Sequence, residues 1–234
     1  MEPIIEICDL SFSYPDGKLV LANINLKVMQ GEKIALVGAN GAGKSTLLYQ
    51  INGVLTGHGK IHVGGMELTK HNLGFIRAFV GLVFQNPDDQ LFSPTVFEDV
   101  AYGPIHQGLD KQVVRANVDQ ALQAVHMGEF PHRNPYHLSS GEKKRISIAT
   151  VLSMKPQVLV FDEPTAGLDP RGRRELIELL LELPQTMLIA SHDLDLVNLL
   201  ATRTVLLDGG RIVADGNTKS ILKDLNLLTI HGLR

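Results

Sequence analysis

Between residues 22 and 28, apolar and polar side chains alternate along the chain. The apolar positions are Ala22, Ile24, Leu26 and Val28, and the polar positions between them are Asn23, Asn25 and Lys27. A period of two places successive side chains on opposite faces of a strand. The pattern therefore predicts a β-strand with one face buried and the other face in solvent.

Five short runs of almost uninterrupted apolar residues follow, at 33–38, 80–84, 157–161, 186–190 and 204–207. Runs of this length predict strands that are buried on both faces, as in a parallel sheet. Helical patterns separate several of the runs, so together they predict a largely parallel α/β sheet. The first run leads directly into a glycine-rich loop and then into the helical segment "KSTLLYQI".

The pattern changes between about residue 87 and residue 155, where no strong strand signal occurs. Apolar residues recur there at helical spacing, namely Val113, Val114, Val118, Ala121, Leu122 and Val125. This spacing predicts a helical subdomain inserted into an α/β core. We therefore expect residues 1–234 to form one domain, with the core at 1–86 and 156–234 and the helical subdomain at 87–155.

The composition is that of an ordinary folded protein, with 44% hydrophobic and 20% charged residues among 234. The single cysteine, Cys8, excludes an internal disulfide. No apolar run approaches the ~20 residues of a membrane span, and the acidic start "MEPIIEICDL" is unlike a signal peptide. A net charge of -3 argues against a nucleic-acid partner, because phosphate backbones attract basic surfaces. Any work at a membrane would need another protein as the anchor.

The segment "GANGAGKS" at 38–45 fits the phosphate-loop pattern G-x-x-x-x-G-K-[ST]. A chance glycine turn is the alternative, but the predicted strand before the segment and the predicted helix after it favour a phosphate site. Successive backbone N–H groups of such a loop surround phosphate oxygens, and the helix N-terminus favours negative charge. Lys44 would neutralise the β- and γ-phosphates, and Ser45 would bind Mg²⁺. The predicted nucleotide-binding residues here are Gly38, Ala39, Asn40, Gly41, Ala42, Gly43, Lys44, Ser45 and Thr46.

Two acidic residues, Asp162 and Glu163, follow the apolar run at 157–161. The carboxyl ends of strands form the ligand crevice of open α/β sheets. Asp162 is therefore predicted to hold Mg²⁺ through its water shell, and Glu163 to polarise an attacking water. An acidic pair in this position is usually a helix cap, but the phosphate loop elsewhere in the chain favours the catalytic interpretation.

Further motifs occur along the chain: Gln85 after a strand, "LSSGE" at 138–142, "AGLD" at 166–169 and His192 after "LIAS". Together with Tyr14 in "FSYPDG", they make the chain resemble ABC-type ATPases, the nucleotide-binding subunits of ABC transporters, over essentially its whole length. The resemblance implies an α/β fold, namely a P-loop NTPase (RecA-like) core with an N-terminal antiparallel β-subdomain and an inserted helical subdomain.

The resemblance also implies a role for each of these residues. Tyr14 would stack on adenine, Gln85 would bind Mg²⁺ and sense the γ-phosphate, and His192 would contact the γ-phosphate and orient water. Outside the family context, they would be a hairpin residue, a strand-end amide and a structural histidine. Asp169, which would otherwise only cap a helix, would line the site of a partner subunit.

The segment "LSSGE" resembles the signature motif of the family but departs from it at two positions. Ser140 stands where the second glycine is usual, and Glu142 stands where the final glutamine is usual. The resemblance implies that Ser139, Ser140, Gly141 and Glu142 meet ATP held by the phosphate loop of a second subunit. Ser139 and Gly141 keep the hydroxyl and the amide that would face phosphate, whereas a carboxylate at Glu142 is unfavourable there unless it points away.

The segment at 85–104, "QNPDDQLFSPTVFEDVAYGP", resembles the energy-coupling-factor branch, especially its cobalt- or nickel-uptake ATPases. The resemblance implies ATP and Mg²⁺ as ligands, a second ATPase subunit in a homodimer or a heterodimer, and integral membrane subunits for coupling and substrate binding. It also implies a place at the cytoplasmic face of the membrane. The nine histidines do not cluster at metal-ligand spacing, and His58 and His62 fall in a predicted strand, so we expect no cobalt or nickel site in this chain.

Three alternatives stay open at this point. The first is an importer ATPase for a vitamin. The second is an ABC ATPase of DNA repair or translation, although the chain shows neither a long coiled-coil insertion nor a second cassette. The third is a phosphate-loop kinase or GTPase, which would not need the combination of signature segment, glutamate and histidine.

Overall fold

The computed structural model describes residues 2–233, which form ten β-strands and nine α-helices. The strands are β1 (Ile5–Ser13), β2 (Leu19–Val28), β3 (Lys33–Val37), β4 (His58–Val63), β5 (Met66–Glu67), β6 (Val80–Val83), β7 (Val158–Asp162), β8 (Thr186–Ala190), β9 (Arg203–Asp208) and β10 (Arg211–Asn217). The helices are α1 (Lys44–Ile51), α2 (Leu73–Phe79), α3 (Val96–His106), α4 (Lys111–Ala124), α5 (Ser140–Leu152), α6 (Pro170–Glu182), α7 (Leu194–Leu200), α8 (Thr218–Lys223) and α9 (Leu225–Ile230).

The N-terminal sheet is antiparallel and has the strand order β2-β1-β4-β5. Its strand β2 confirms the alternating pattern, because Ile24, Leu26 and Val28 are buried and the polar residues between them are exposed. His58 and His62 lie on strand β4, as predicted. Between residues 2 and 233, no group of three or more histidine, cysteine or acidic side chains is arranged to hold a metal ion.

The central sheet has the order β10-β9-β3-β8-β7-β6, and its five strands from β9 to β6 run parallel. These five strands are the five apolar runs of the sequence. Because parallel strands end at the same edge of a sheet, the loops after β3, β6, β7 and β8 open on one crevice. The antiparallel edge strand β10 alternates exposed and partly buried residues, and because none of them is fully buried it lacks the continuous apolar run that marks the other strands in the sequence.

The segment between β6 and β7 contains helices α3, α4 and α5, which pack on one another. On α4, Val114, Val118, Ala121 and Leu122 are buried as predicted, whereas Val113 is exposed. One apolar core joins these helices to the central sheet, since Val118 and Ile146 belong to the same cluster as Phe161 of β7. The helical segment therefore shares a core with the central sheet. The subdomain boundaries at residues 87 and 155 stay a prediction.

The C-terminal helices α8 and α9 pack on the central sheet, where Leu228 is buried and Leu222 lies against the core. The Nδ1 atom of His231 lies 2.7 Å from Oδ2 of Asp208 at the end of β9. Leu225 and Ile230 stay exposed. In the part of the chain that the structure describes, no helix has the length and apolar character needed to cross a membrane.

Candidate functional site

The phosphate loop joins β3 to α1 and requires glycine at particular points. A Cβ atom at Gly38 would lie 2.3 Å from the carbonyl oxygen of Leu207, and one at Gly43 would lie 2.9 Å from Cδ2 of Leu21. Gly43 also has a φ of 104°, in the left-handed region that favours glycine. Close contact with the neighbouring strands therefore sets the loop conformation before any ligand binds.

Lys44, the first residue of α1, is buried with only 7% of its surface exposed. Its Nζ donates to the carbonyl oxygens of Gly38 at 2.8 Å and Ala39 at 3.3 Å, and lies 3.9 Å from Oε1 of Glu163. An ammonium has three N–H donors and no acceptor. The loop thus holds a buried positive charge across the mouth of the crevice, where an anion would be stabilised.

Asp162 at the end of β7 faces Ser45 and Tyr49 on helix α1. Its Oδ1 accepts from the Ser45 hydroxyl at 2.8 Å, and its Oδ2 accepts from the Tyr49 hydroxyl at 3.0 Å. Burial raises the pKa of Asp162, and the two hydrogen bonds oppose that shift. Burial and the Asp162 charge likewise raise the pKa of Tyr49.

These oxygen donors fit Mg²⁺, a hard cation that proteins hold through one or two carboxylates together with substrate phosphates. Ser45 and Asp162 already converge on one point, and Gln85 lies on the wall of the same cavity as Ser45. Magnesium sites of this kind need no cage of three or more protein carboxylates.

Glu163 adopts a positive φ of 44° and is buried, with 7% of its surface exposed. Its Oε2 lies 2.9 Å from Nδ1 of His192 and accepts from the His192 backbone N–H and the Ser191 hydroxyl, both at 3.3 Å. A left-handed glutamate is uncommon and persists only where its surroundings hold it. The loop after β8 therefore fixes the position of the Glu163 carboxylate.

A cavity of about 370 Å³ collects most of the predicted residues of the ATP site. Its walls contain Tyr14, Asn40, Gly41, Gly43, Lys44, Ser45, Thr46, Gln85, Glu163 and His192. Tyr14 lies at the rim in the turn between β1 and β2, with its hydroxyl 3.3 Å from Oγ1 of Thr46. Tyr14 is 39% exposed, so its ring is accessible for a flat base to stack on.

The signature-like residues lie elsewhere. Ser139, Ser140, Gly141, Glu142 and Asp169 line a second open cleft, of about 620 Å³, which contains no residue of the phosphate loop. Ser139, Ser140 and Asp169 are exposed. One copy of the chain therefore presents two separate open clefts.

A family model described as ABC transporter matches residues 21–166 of the chain. The chain belongs to this family. The match confirms the predicted fold class, an α/β P-loop NTPase of the ABC type. The chain is accordingly the ATP-binding and ATP-hydrolysing subunit of a transporter.

Two curated relatives extend along almost the whole chain. A Gloeobacter violaceus protein, provisionally named an ABC transporter ATP-binding protein, is 53% identical and covers 100% of this chain and 96% of its own length. The energy-coupling factor transporter ATP-binding protein EcfA of Methanothermobacter thermautotrophicus is 47% identical over 99% of this chain and 76% of its own length.

Solved structures agree with this placement. CbiO1 of Clostridium perfringens, part of the ABC transporter complex CbiONQ, shares 37% identity at a TM-score of 0.86, covering 100% of this chain and 96% of that one. A bacterial ABC transporter cassette solved as a dimer shares 25% identity at a TM-score of 0.81, covering 92% and 98%.

In this ABC ATPase, Glu142 points back toward the start of its own helix. Its Oε2 accepts from the Ser139 hydroxyl at 2.7 Å and from the Ser139 backbone N–H at 2.8 Å, while Oγ of Ser139 accepts from the Glu142 N–H at 3.4 Å. These reciprocal bonds form a capping box. The Ser139 hydroxyl, followed by its backbone amide, lowers the pKa of Glu142.

Asp169 also caps a helix, because its Oδ1 accepts from the Gly172 N–H at 2.7 Å at the start of α6. It occupies the same cleft as the signature-like residues. The cap uses only Oδ1 of Asp169. The other carboxylate oxygen is not used by the cap, so capping does not prevent Asp169 from also lining the cleft.

Sequence reasoning missed three residues of this ABC ATPase site: Tyr49, Ser191 and Lys144. Tyr49 lies four residues after Ser45, so helical spacing alone could have placed both on the face toward Asp162. Ser191 follows an apolar strand without any distinguishing pattern. Lys144 looks in the sequence like one more surface lysine of "EKKR", yet its side chain is buried.

Proposed function

We propose that this ABC ATPase subunit powers an energy-coupling-factor importer, with cobalt or nickel ions as its substrate class. The relatives EcfA and CbiO1 support the branch and a role in a transporter, and the likeness of residues 85–104 to cobalt- or nickel-uptake ATPases favours the importer and its substrate class. The ATPase would lie at the cytoplasmic face of the membrane, held there by integral coupling and substrate-binding subunits. A vitamin importer is the nearest alternative, because the same ATPase branch could serve a different substrate-binding subunit.

The proposed mechanism rests on the separation of the two clefts in one copy of the chain. The cavity with Lys44 and the cleft with Ser139 are separate in one copy of the chain. We infer that two copies pack head to tail, so that the start of α5 of one copy meets ATP bound in the phosphate loop of the other. Helix α5 has 13 residues, and its N-terminus would stabilise a γ-phosphate. A heterodimer with a related ATPase would satisfy the same geometry.

Each residue of the phosphate-loop cavity has a task in this scheme. Tyr14 would stack on adenine, and Lys44 would neutralise charge on the β- and γ-phosphates. Ser45, Asp162 and Gln85 would hold Mg²⁺, which when bound neutralises the phosphate charge.

Hydrolysis would depend on the position of one carboxylate. Glu163 would orient the attacking water, and His192 would contact the γ-phosphate while holding Glu163 through the bond at 2.9 Å. Loss of the γ-phosphate would remove the bridge to Ser139 and Gly141 of the other copy and open the dimer. The cycle is thus a switch between two states that differ in their affinity for nucleotide.

Replacing Glu142 by glutamine is expected to strengthen ATP-dependent dimerisation. Glutamine can still cap α5, but it removes a negative charge beside the γ-phosphate that Ser139 would meet. At a partly exposed site such a repulsion costs at most ~1 kcal/mol, so the ATP concentration for half-maximal dimer formation should fall about threefold to fivefold. Size-exclusion chromatography of the Glu142→Gln subunit over an ATP series measures this. Weaker dimerisation than in the wild type would contradict a γ-phosphate contact near Glu142.

A groove of about 550 Å³ between the central sheet and α3 is the proposed docking place for a membrane subunit. Its walls combine the aromatic rings of Phe92 and Tyr102, which pack edge to face at 5.1 Å, with the carboxylate of Asp89. Asp88, by contrast, forms an ion pair with Lys143 at 2.7 Å. Of the two acidic residues that the sequence singled out, Asp89 is therefore the one that faces the groove.

Reversing the charge at Asp89 is expected to weaken assembly with the membrane subunits. In this proposal Asp89 meets a basic group of the membrane subunit, so the reversal would place like charges opposite each other. A loss of at least about 1.4 kcal/mol should lower recovery of the membrane subunits with tagged Asp89→Lys at least about tenfold. Asp119→Lys, on the exposed side of α4, is the matched control and should leave recovery unchanged. Co-purification in detergent and nucleotide binding are both measured. Equal recovery with Asp89→Lys and wild type would count against this groove.

The substrate is tested in the assembled transporter. Membrane proteins that co-purify with the tagged subunit are identified, and the reconstituted complex is assayed for ATPase activity with cobalt, nickel or vitamins. Stimulation by cobalt or nickel is the expected result. Stimulation by a vitamin alone would replace the substrate, and co-purification with DNA or ribosomes instead of membrane proteins would overturn the importer.

A further inference from the structure

The side chain of Lys144 on helix α5 is buried, with 2% of the residue's surface exposed. Its Nζ donates to the backbone carbonyl oxygen of Gln85 and to that of Glu163, the latter at 3.5 Å. In residues 2–233, no Asp or Glu oxygen comes within ion-pairing distance of this ammonium. Lys144 thus joins the helix of the signature segment to the two loops that carry the predicted catalytic residues of the same copy.

Burying this ammonium with no carboxylate partner among the described residues is unfavourable, because the charge loses its hydration. Burial lowers the pKa of Lys144 to about 8, although the charges of Asp162 and Glu163 act in the opposite direction. An apolar side chain of similar length would fill the same space without this desolvation cost. The two carbonyl contacts are therefore the feature that distinguishes lysine from a simple packing residue here.

Other contacts tie the segment after Gln85 to the same helix. The Gln90 side chain donates to the Ser147 carbonyl at 2.8 Å and to the Thr150 hydroxyl at 2.7 Å. Together with the ion pair between Lys143 and Asp88, these bonds make α5 and the 85–90 segment one unit. Lys144 extends that unit to Glu163, which follows β7 of the central sheet.

We propose that Lys144 is a positioning residue that makes hydrolysis at one ATP depend on the nucleotide at the other. This inference rests on the proposed head-to-tail dimer, in which the start of α5 meets the ATP of the other copy. When α5 closes on that ATP, Lys144 would carry the movement to Gln85 and Glu163 of its own copy. Each ATP site would then reach its hydrolytic geometry only when the opposite site is filled.

The test compares three variants of the full-length chain: Lys144→Met, Lys144→Arg and Lys33→Met. Lys33 is the matched control, because its Nζ also donates to two backbone carbonyls, those of Leu180 at 2.9 Å and Leu181 at 3.2 Å, far from the phosphate loop along β3. Burial lowers its pKa as well. Lys33→Met therefore shows what the loss of a lysine bonded to two carbonyls does to stability and turnover when the lysine does not contact the catalytic loops.

Lys144→Met is expected to lower turnover without changing the affinity for ATP. Misplacement of catalytic groups by about 1 Å can cost up to ~100-fold in rate, so kcat should fall at least about tenfold, while the Kd for ATP stays within about twofold. Lys144→Arg keeps the charge and the donors, and the 430 Å³ cleft beside Lys144 has room for it, so it should recover most of kcat. Lys33→Met should change Tm but not kcat.

Two results would overturn the inference. One is a kcat for Lys144→Met within about twofold of the wild type, and the other is an equal loss of kcat in Lys33→Met at an equal loss of Tm. If Lys144→Met does not fold, Lys144→Gln takes its place. The glutamine side chain is one atom shorter than that of lysine and carries no charge, so this variant should also lower kcat. Failure of Glu163→Gln, which retains ATP, to dimerise with ATP would instead refute the proposed dimer, so the two failures are distinguishable.

Discussion

Glu163→Gln is expected to lower the ATPase kcat by about 10²- to 10⁴-fold, the range typical of removing a general base. Glutamine keeps the size of the side chain and can still bond to Ser191 and the His192 backbone, so the fold and ATP affinity should change little. Because the γ-phosphate then persists, the subunit should stay dimeric in ATP. Steady-state ATPase assays and chromatography with ATP check both parts.

The control for Glu163→Gln is Glu182→Gln, at an exposed position at the end of α6. Within residues 2–233, Glu182 pairs only with His126, at 3.7 Å between two exposed side chains, so its loss should leave turnover unchanged. Near-normal hydrolysis by Glu163→Gln would exclude Glu163 as the main catalytic carboxylate. It would also remove the reason for the buried, left-handed conformation of that residue.

Lys44→Met is expected to weaken ATP binding by about 10- to 150-fold. Hydrogen bonds to charged groups contribute about 1.5–3 kcal/mol, and methionine keeps most of the length of the side chain without its charge. The contacts of Lys44 with the Gly38 and Ala39 carbonyls are lost as well, so Tm without nucleotide should also change. Calorimetric titration with ATP gives the Kd.

The comparison that isolates the phosphate contact is again Lys33→Met, which removes another lysine bonded to two carbonyls but leaves the cavity intact. Its Kd for ATP should match the wild type. An ATP affinity of Lys44→Met within twofold of the wild type would mean that Lys44 does not meet the phosphates.

The central part of the fold could be read from the sequence because its strands are buried on both faces. Such strands leave continuous apolar runs, and all five parallel strands formed where such runs occur. Strand β10 left no such mark, since it lies at the edge of the sheet with alternately exposed residues. Burial on both faces, rather than strand propensity, determined which strands could be predicted from the sequence.

Some residues of the candidate site could likewise be predicted from the sequence, and others could not. Residues of the phosphate loop and the strand ends were predictable, because local spacing and the parallel sheet together bring them to one crevice. The direction of Glu142 was also encoded, since Ser139 and Glu142 have the Ser-x-x-Glu spacing of a capping box, but this signal was overlooked. Lys144 was not predictable, because its two carbonyl partners come from distant parts of the chain.

Cross-linking between copies tests the proposed shared site most directly. Two differently tagged subunits carry Cys8→Ser, to remove the single cysteine, and Glu163→Gln, to retain ATP. One copy also carries Asn40→Cys in the phosphate loop and the other Ser140→Cys in the signature segment, both at exposed positions. A short bis-thiol reagent should join the two tags only when ATP is present. Failure to join them in ATP, or equal yield without nucleotide, would contradict a site completed by a second copy.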